Sequence, residues 1–397
     1  MSNQSIIENG KQHIMNTYGR FPISLVKGQG SKAWDADGKE YLDFVAGIAV
    51  CSFGHANPEL ADVLKKQADQ FWHCSNLYWI EPQVELAGKL CQATGMDKAF
   101  FCNSGTEANE AALKLARKYY ANKGEDRTEI IAFQQSFHGR TTGSLALTGQ
   151  AKYQKGFGPL IPGVHYAEYN NLDSVKKLIG SKTCAVIVEA VQGEGGVHPA
   201  DPAFMTGLAA LCKAQGVLLI TDEVQVGLGR TGTLMGYENY GIKPDIATLA
   251  KALGNGFPIG ALLAHGEVAD TFAPGDHAAT FGGNPLGTAV ANKVMDILTG
   301  PGFLDSVNAV SNQLLDGLKA LVGGDDRVTA VRGMGLLIGM ECKSEVKGLV
   351  ALCMDRGLLV ISAGPNVLRM VPPLTVTPAE VEAALAILKD ALAAWEA

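Results

Sequence analysis

Between residues 95 and 265, short apolar runs alternate with longer segments whose apolar positions repeat at helical spacing. This alternation is typical of strand–helix–strand units and predicts a mostly parallel sheet with helices on both faces. Helices are predicted at 106–121, where Ala108, Ala112 and Leu115 share one face, and at 202–215, ended by Gly216. The predicted strands are 99–102, 129–133, 184–188, 217–221, 245–249 and 261–264.

The pattern changes at both ends of the chain. Near the start, 31–34 and 41–44 predict a small hairpin around a turn at 35–38. A helix at 287–298 leads away from the sheet, and after residue 302 the order becomes helix, strand, helix, strand. Strands at 335–341 and 367–371 and a terminal helix at 379–395 complete this part.

A chain of 397 residues is longer than a single core usually grows, so two domains are expected. The fold class is therefore α/β, with a large domain at 51–299 around the central sheet. A smaller α+β domain is expected at 300–397. The N-terminal segment 1–50, with its hairpin, is expected to pack with the small domain.

Composition narrows the possible partners. Apolar residues make up 47% of the chain and charged residues 18%, which is ordinary for a globular protein. A net charge of −7 argues against a nucleic-acid or anionic-membrane surface. Residues 1–10 are polar, and no apolar run approaches the length of a membrane-spanning helix. We expect neither nucleic acid nor membrane as a partner.

The eight cysteines indicate the redox compartment. They form no C-x-x-C pair, and none lies at metal-ligand spacing from a histidine. Most fall within apolar runs, which predicts reduced thiols in the core. The interpretation is a cytoplasmic protein without a structural metal or disulfide framework.

The first candidate site is the segment 103–109 (NSGTEAN), which follows a predicted strand and begins a helix. Gly105 allows close approach of a ligand, while Ser104 and Thr106 offer hydroxyl groups. The unpaired N–H groups and positive dipole end of a helix N-terminus favour a phosphate. The alternative is a simple helix cap without a ligand.

Two further candidates follow successive predicted strands, and their separation of 29 residues (251 − 222) predicts about one strand–helix–strand step between them. Asp222, in the segment 221–225 (TDEVQ), is placed at the carboxyl end of a strand, where ligands of open α/β sheets bind. A carboxylate there can hold a proton on a heterocyclic nitrogen, as in pyridoxal-phosphate enzymes. Lys251, framed by apolar residues and glycines in 249–256 (LAKALGNG), is expected to have a lowered pKa and a nucleophilic amine. A salt bridge at Asp222 and an ordinary loop lysine are the alternatives.

The fourth candidate is the segment 136–141 (SFHGRT), after the strand 129–133. Phe137 can cover one face of a flat cofactor, and Arg140 can bind a substrate carboxylate with its fork of N–H groups. A loop aromatic beside a structural arginine is the alternative.

Taken together, these four motifs occur in the order and spacing of the class III (fold type I) aminotransferases, which the chain resembles from Tyr18 to Pro373. The resemblance implies a pyridoxal 5'-phosphate cofactor, with Lys251 as the lysine that binds its aldehyde. Asp222 would pair with the ring nitrogen, Gln225 would lie near the ring hydroxyl, and Phe137 would stack on the ring. The implied cofactor-binding residues are Ser104, Gly105, Thr106, Phe137, Asp222, Glu223, Val224, Gln225, Lys251 and Thr280.

The resemblance also implies a homodimer. Thr280 is similar to a threonine that reaches the cofactor phosphate from the partner subunit, so the active sites would be shared. Trp72 and Trp79 would either line an entrance or pack at the dimer interface.

Within the class, the segments 53–55 and 75–83 are most similar to the acetylornithine aminotransferase branch. This implies transfer of the terminal amino group of N-acetyl-L-ornithine to 2-oxoglutarate, a step of arginine biosynthesis. Arg140 would bind the donor's α-carboxylate and Arg369 that of 2-oxoglutarate, while Glu194 would cover Arg369 when the donor is bound. Ala279 departs from the pattern, because relatives often carry a hydroxyl residue near the acylated substrate.

Other functions stay open at the level of sequence. Succinylornithine, ornithine and 4-aminobutyrate all present a terminal amine and differ only at the far end. A related aminomutase would need no second keto acid. A non-catalytic binding protein is disfavoured because Lys251, Asp222 and the phosphate-binding segment are all present.

Overall fold

The computed structural model describes residues 1–396 and contains seventeen strands, which are numbered in chain order. These are β1 (Leu25–Gln29), β2 (Lys32–Asp35), β3 (Glu40–Asp43), β4 (Lys98–Cys102), β5 (Glu129–Phe133), β6 (Val164–Ala167), β7 (Thr183–Val188), β8 (Val191–Gln192), β9 (His198–Pro199), β10 (Leu218–Asp222), β11 (Ile246–Leu249), β12 (Gly260–Ala264), β13 (Val328–Met334), β14 (Leu337–Cys342), β15 (Leu358–Leu359), β16 (Ile361–Ser362) and β17 (Val367–Met370).

Thirteen α-helices accompany the strands in the described part of the chain. They are α1 (Asn3–His13), α2 (Ala46–Ala49), α3 (Pro58–Ala68), α4 (Glu81–Thr94), α5 (Gly105–Asn122), α6 (Thr142–Leu147), α7 (Ala151–Gln154), α8 (Leu172–Leu178), α9 (Pro202–Gln215), α10 (Pro285–Leu298), α11 (Phe303–Val322), α12 (Lys347–Asp355) and α13 (Pro378–Ala393). Short 3₁₀ helices lie at Gly236–Tyr240, Lys251–Leu253 and Gly266–Asp270.

The central sheet has seven strands in the order β4-β12-β11-β10-β7-β5-β6. β12 runs antiparallel to both of its neighbours, and the other four pairings are parallel. Successive side chains of these strands enter two separate apolar clusters, one on each face, because side chains alternate along a strand. The predicted mostly parallel, doubly covered sheet is therefore confirmed.

A second, antiparallel sheet lies in the C-terminal part, in the order β13-β14-β17-β16. Its apolar cluster is separate from that of the large sheet and includes α11, α12 and α13 side chains. The predicted hairpin is present as β2 and β3, and β3 pairs in parallel with β15 of the C-terminal part. We accordingly propose the expected division into the N-terminal segment 1–50, the large domain 51–299 and the small domain 300–397.

Several elements differ from the sequence-based predictions. Helices α1, α3 and α4 had not been predicted, and neither had strand β13. The crossover between Asp222 and Lys251 was interpreted as a strand–helix–strand step, which is wrong. It contains turns and the 3₁₀ helix Gly236–Tyr240 and lacks an α-helix. Within residues 1–396, no helix is long and apolar enough to cross a membrane.

Candidate active site

Asp222 and Lys251 come together because they follow adjacent parallel strands of the large sheet. Asp222 is the last residue of β10, and Lys251 lies two residues beyond β11, which pairs with β10. Both side chains line a cavity of about 370 Å³ at the carboxyl ends of the strands. This is the edge at which open α/β sheets bind their ligands.

Three donors fix the Asp222 carboxylate, which is 4% exposed. Its Oδ2 accepts hydrogen bonds from Nδ2 of Asn109 at 2.8 Å and from Nδ1 of His138 at 2.7 Å. Its Oδ1 accepts from the Val224 amide at 3.0 Å. A buried carboxylate held in this way is a fixed negative charge on the cavity wall.

Lys251 is a partly buried amine in a strained backbone position. Its φ of 45° lies in the left-handed region, which is unfavourable for a residue with a side chain. Burial lowers the pKa of the amine to about 8, with Arg369 acting in the same direction and Glu194 opposing it. The amine is therefore more nucleophilic near neutral pH than an ordinary lysine.

Helix α5 places its N-terminus on the same cavity. Ser104 caps the helix, with its Oγ accepting from the Glu107 amide at 3.3 Å. The N–H groups of Gly105 and Thr106 belong to the first turn, where no acceptor exists within the helix. A Cβ on Gly105 would lie 2.7 Å from Cγ1 of Val224, so only glycine keeps this corner of the cavity open.

Phe137 and Arg140 contribute an aromatic ring and a guanidinium group to the cavity wall. Cζ of Arg140 lies 3.9 Å from the ring centre of Tyr153 and 5.4 Å from that of Phe137. Arg140 is exposed and has no carboxylate partner within the described chain. Its guanidinium is thus available to an incoming anion, with its orientation restricted by the two rings.

Glu194 forms an ion pair with Arg369 at the other side of the site. Oε1 of Glu194 accepts from Nη1 of Arg369 at 2.6 Å and from Nε2 of Gln225 at 3.2 Å. Arg369 is only 1% exposed. Glu194 and Gln225 contact Arg369 and line the cavity in front of it. Burial raises the pKa of Glu194, but Arg369, Lys251 and the hydrogen bonds outweigh it and lower this pKa to about 2.

Two groups of predicted residues lie outside the cavity wall. The carboxylate of Glu223 accepts from the Gly236 amide at 2.5 Å and so is used in the interior. Ala279 and Thr280 lie on a surface segment held by Nδ2 of Asn76, which donates to the Ala279 and Gly282 carbonyls at 3.3 and 3.0 Å. The structure does not bring Thr280 to the cavity of its own chain.

The sequence analysis assigns no role to three residues that line the cavity: Asn109, His138 and Glu189. Asn109 and His138 lie inside the segments singled out from the sequence, and pairing with Asp222 is visible only in the fold. Glu189 follows β7, next to β10, so the strand-end argument used for Asp222 would have found it. Burial, and then the nearby Asp222 charge, raises the pKa of Glu189 well above its ordinary value.

Comparison with known proteins identifies the family. A family model described as "Aminotransferase class-III" matches residues 14–392. An acetylornithine aminotransferase from Caldanaerobacter subterraneus subsp. tengcongensis is 49% identical over 96% of this chain and 98% of its own length. One from Myxococcus xanthus is 46% identical, over 96% of each chain.

Solved structures agree with this relationship. The ornithine aminotransferase of Toxoplasma gondii superposes with a TM-score of 0.96 at 30% identity, covering 99% of this chain and 96% of its own. The N-acetylornithine aminotransferase of Stenotrophomonas maltophilia K279a gives a TM-score of 0.84 at 36% identity, with 98% of each chain covered. The chain belongs to the class-III aminotransferases. It is a pyridoxal-phosphate-dependent transaminase of fold type I.

The residues of the cavity fit this cofactor. The N-terminus of α5, kept open by Gly105, suits the phosphate, and the Asp222 carboxylate suits the protonated ring nitrogen. The Lys251 amine suits the aldehyde, and Phe137 offers an aromatic face. We propose these assignments for Lys251, Asp222, Ser104, Gly105, Thr106, Phe137, Val224 and Gln225.

Proposed function

We propose that the protein transfers the terminal amino group of N-acetyl-L-ornithine to 2-oxoglutarate, giving N-acetyl-L-glutamate 5-semialdehyde and L-glutamate. The proposal rests on the Glu194–Arg369 ion pair beside Lys251, together with relatives that are up to 49% identical and carry the acetylornithine aminotransferase name. Such a reaction is a step of arginine biosynthesis.

Lys251 and Asp222 perform the proton chemistry in this proposal. When bound, pyridoxal phosphate supplies a ring that withdraws electrons from the carbon next to the substrate nitrogen. Lys251 would hold the cofactor through its aldehyde, and the amine of the same residue, when free, would move a proton at that carbon. Asp222, fixed by its three donors, would hold a proton on the ring nitrogen.

Glu194 and Arg369 explain how one cavity accepts two unlike substrates. With the pair closed, the guanidinium charge is neutralised, and the amino end of the donor meets no exposed cation there. Separating a buried pair without compensation costs roughly 3–5 kcal/mol, because a charge is left buried and unpaired. A carboxylate of 2-oxoglutarate can replace that of Glu194, so the pair opens for the keto acid.

Arg140 is the proposed site for the α-carboxylate of the donor. It is exposed in the cavity wall and restricted by Phe137 and Tyr153. Ala279 would belong to the same subsite from the partner subunit, which leaves more room than a hydroxyl residue would.

We further propose a homodimer with shared active sites. Exposed aromatic side chains, including Trp79 at 92% exposure, surround the segment that carries Thr280, and the rings of His73 and Phe281 lie 5.3 Å apart. Large exposed apolar patches mark interaction surfaces. A partner covering this one would bring Thr280 to the cofactor phosphate of the other chain. Trp79→Glu should yield monomers that lose cofactor, and monomers that retain it fully would contradict shared sites.

The donor can be identified by separate half-reactions. The cofactor-loaded enzyme is mixed with N-acetylornithine, succinylornithine, ornithine or 4-aminobutyrate, and the absorbance of the lysine-bound cofactor is followed. N-acetylornithine should react fastest, and 2-oxoglutarate should restore the absorbance. Preference for another donor would refute N-acetylornithine as the substrate and leave the proposed mechanism unchanged. Reaction with none of them would point to an aminomutase or to a donor outside this set.

A further inference from the structure

The loop of residues 193–197, which carries Glu194 and joins β8 to β9, is held from the small domain by Arg332. Nε of Arg332 donates to the Val197 carbonyl at 2.9 Å, and Nη2 donates to the Gly196 carbonyl at 2.7 Å. Nη1 donates to the carboxylate of Glu341 on the neighbouring strand β14. Glu341 therefore orients the guanidinium while its remaining N–H groups bind the loop backbone.

Arg332 and Arg369 lie in one row of the small sheet. Arg332 on β13 pairs with Gly339 on β14, and Gly339 pairs with Arg369 on β17. A Cβ on Gly339 would lie 2.8 Å from Cβ of Val197, so the glycine provides the space in which Val197 packs. The loop thus crosses this row. At one end Glu194 pairs with Arg369, and at the other end the Gly196 and Val197 carbonyls accept hydrogen bonds from Arg332.

The loop backbone has a conformation that needs such support. Val197 has a φ of 54°, which is unfavourable for a β-branched residue, and its side chain is fully buried. Strained backbone persists only where surrounding contacts hold it in place. The contacts that hold Val197 are the Arg332 hydrogen bond and the packing against Gly339.

We propose that Arg332 is a positioning residue that determines how firmly Glu194 covers Arg369, with Gly339 providing the necessary space. The Arg332 contacts thereby set the balance between the amino donor and the dicarboxylate keto acid. This inference rests on the proposed function, in which both substrates use the Glu194–Arg369 pair. Without the Arg332 hydrogen bonds, the loop relaxes, Glu194 leaves Arg369 more readily, and the exposed cation favours the keto acid.

The test is Arg332→Gln in the cofactor-loaded enzyme, with the two half-reactions measured separately. The ratio of the 2-oxoglutarate rate constant to the donor rate constant should rise about tenfold, as expected for loss of hydrogen bonds from a charged group. Glutarate, a dicarboxylate that cannot react, should bind more tightly by calorimetry. Arg327→Gln is the matched control, because Arg327 precedes β13 but bonds to Asp325 and the carbonyls of Leu392 and Trp395.

Two results would contradict a positioning role for Arg332. An equal fall in both half-reactions with unchanged glutarate binding, or the same ratio change in Arg327→Gln, would show a structural role and overturn the proposal. If Arg332→Gln does not fold, Gly339→Ala is used instead, because its added Cβ displaces Val197. The ratio of the two rate constants should then change in the same direction. An unchanged ratio in Gly339→Ala also overturns the proposal. A wild-type enzyme that prefers another terminal amine refutes the substrate, and the ratio is then measured with that amine.

Discussion

Nδ1 of His138 lies 2.7 Å from Oδ2 of Asp222, and both side chains are buried beneath the active-site cavity. Asn109, from helix α5, donates to the same oxygen and also to the His138 carbonyl, each at 2.8 Å. The amide of Asn109 therefore links helix α5, the Phe137 loop and the Asp222 carboxylate. This link fixes the positions of these three parts of the proposed cofactor site relative to one another.

Asn109→Ala should lower the rate of the donor half-reaction by about tenfold or more, because a hydrogen bond to a charged group contributes roughly 1.5–3 kcal/mol. Its cofactor should also dissociate faster. Asn122→Ala is the control, since Asn122 lies at the far end of α5 and donates only to the Thr271 carbonyl. Wild-type kinetics in Asn109→Ala would contradict a positioning role.

Lys251→Ala should lower steady-state turnover by at least about a thousandfold, because the proposed mechanism assigns both the cofactor link and the proton transfer to this one side chain. Lys243→Ala, which changes a lysine outside the cavity lining, should retain activity. Turnover is measured as glutamate formed from 2-oxoglutarate. Substantial turnover in the Lys251 variant would rule out its assignment.

The lowered pKa of Lys251 predicts how cofactor loading depends on pH. Only the unprotonated amine binds the aldehyde, and burial favours this form by lowering the pKa to about 8. The rate at which apoenzyme binds pyridoxal phosphate should therefore rise with pH, with a midpoint near 8. Stopped-flow absorbance gives the profile. A midpoint near the ordinary lysine value of 10.5 would show that the amine is not perturbed.

Gly105→Ala should weaken cofactor binding, because the added Cβ would lie 2.7 Å from Cγ1 of Val224 at the N-terminus of α5, the proposed phosphate site. Overpacking of this kind also costs typically about 1–3 kcal/mol of stability. Gly88→Ala is the matched control: Gly88 lies within α4, and a Cβ there meets no atom within 4 Å. The dissociation constant is measured by cofactor fluorescence, and equal constants for both variants would refute the close approach.

Elements with strong apolar periodicity could be predicted from the sequence. The bounds predicted for β5 and α9 agree with the structure because both lie within dense apolar patterns. Helix α1 was missed because it buries none of its side chains and therefore has no apolar stripe. Strand β13 was missed because it is only partly buried and contains Arg332 and Gly333.

The same distinction applies to the site: local patterns predict some of its residues, and only the fold shows the contacts between distant ones. Lys251 and Asp222 could be placed at one edge of the sheet from the sequence, because each follows an apolar strand, and both line the cavity there. The Arg332 contacts join residues 135 or more positions apart through the small sheet, and no local pattern encodes them. The Glu194–Arg369 pair was expected from resemblance, and its 2.6 Å geometry required the fold.

The most direct test of the proposed reaction follows the nitrogen atom itself. N-acetylornithine carrying a heavy-nitrogen label on its terminal amine is incubated with the enzyme and 2-oxoglutarate, and the products are analysed by mass spectrometry. The proposal predicts labelled glutamate together with N-acetylglutamate semialdehyde in equal amounts. Unlabelled glutamate, or label that stays in the donor or moves to another of its carbons, would contradict it.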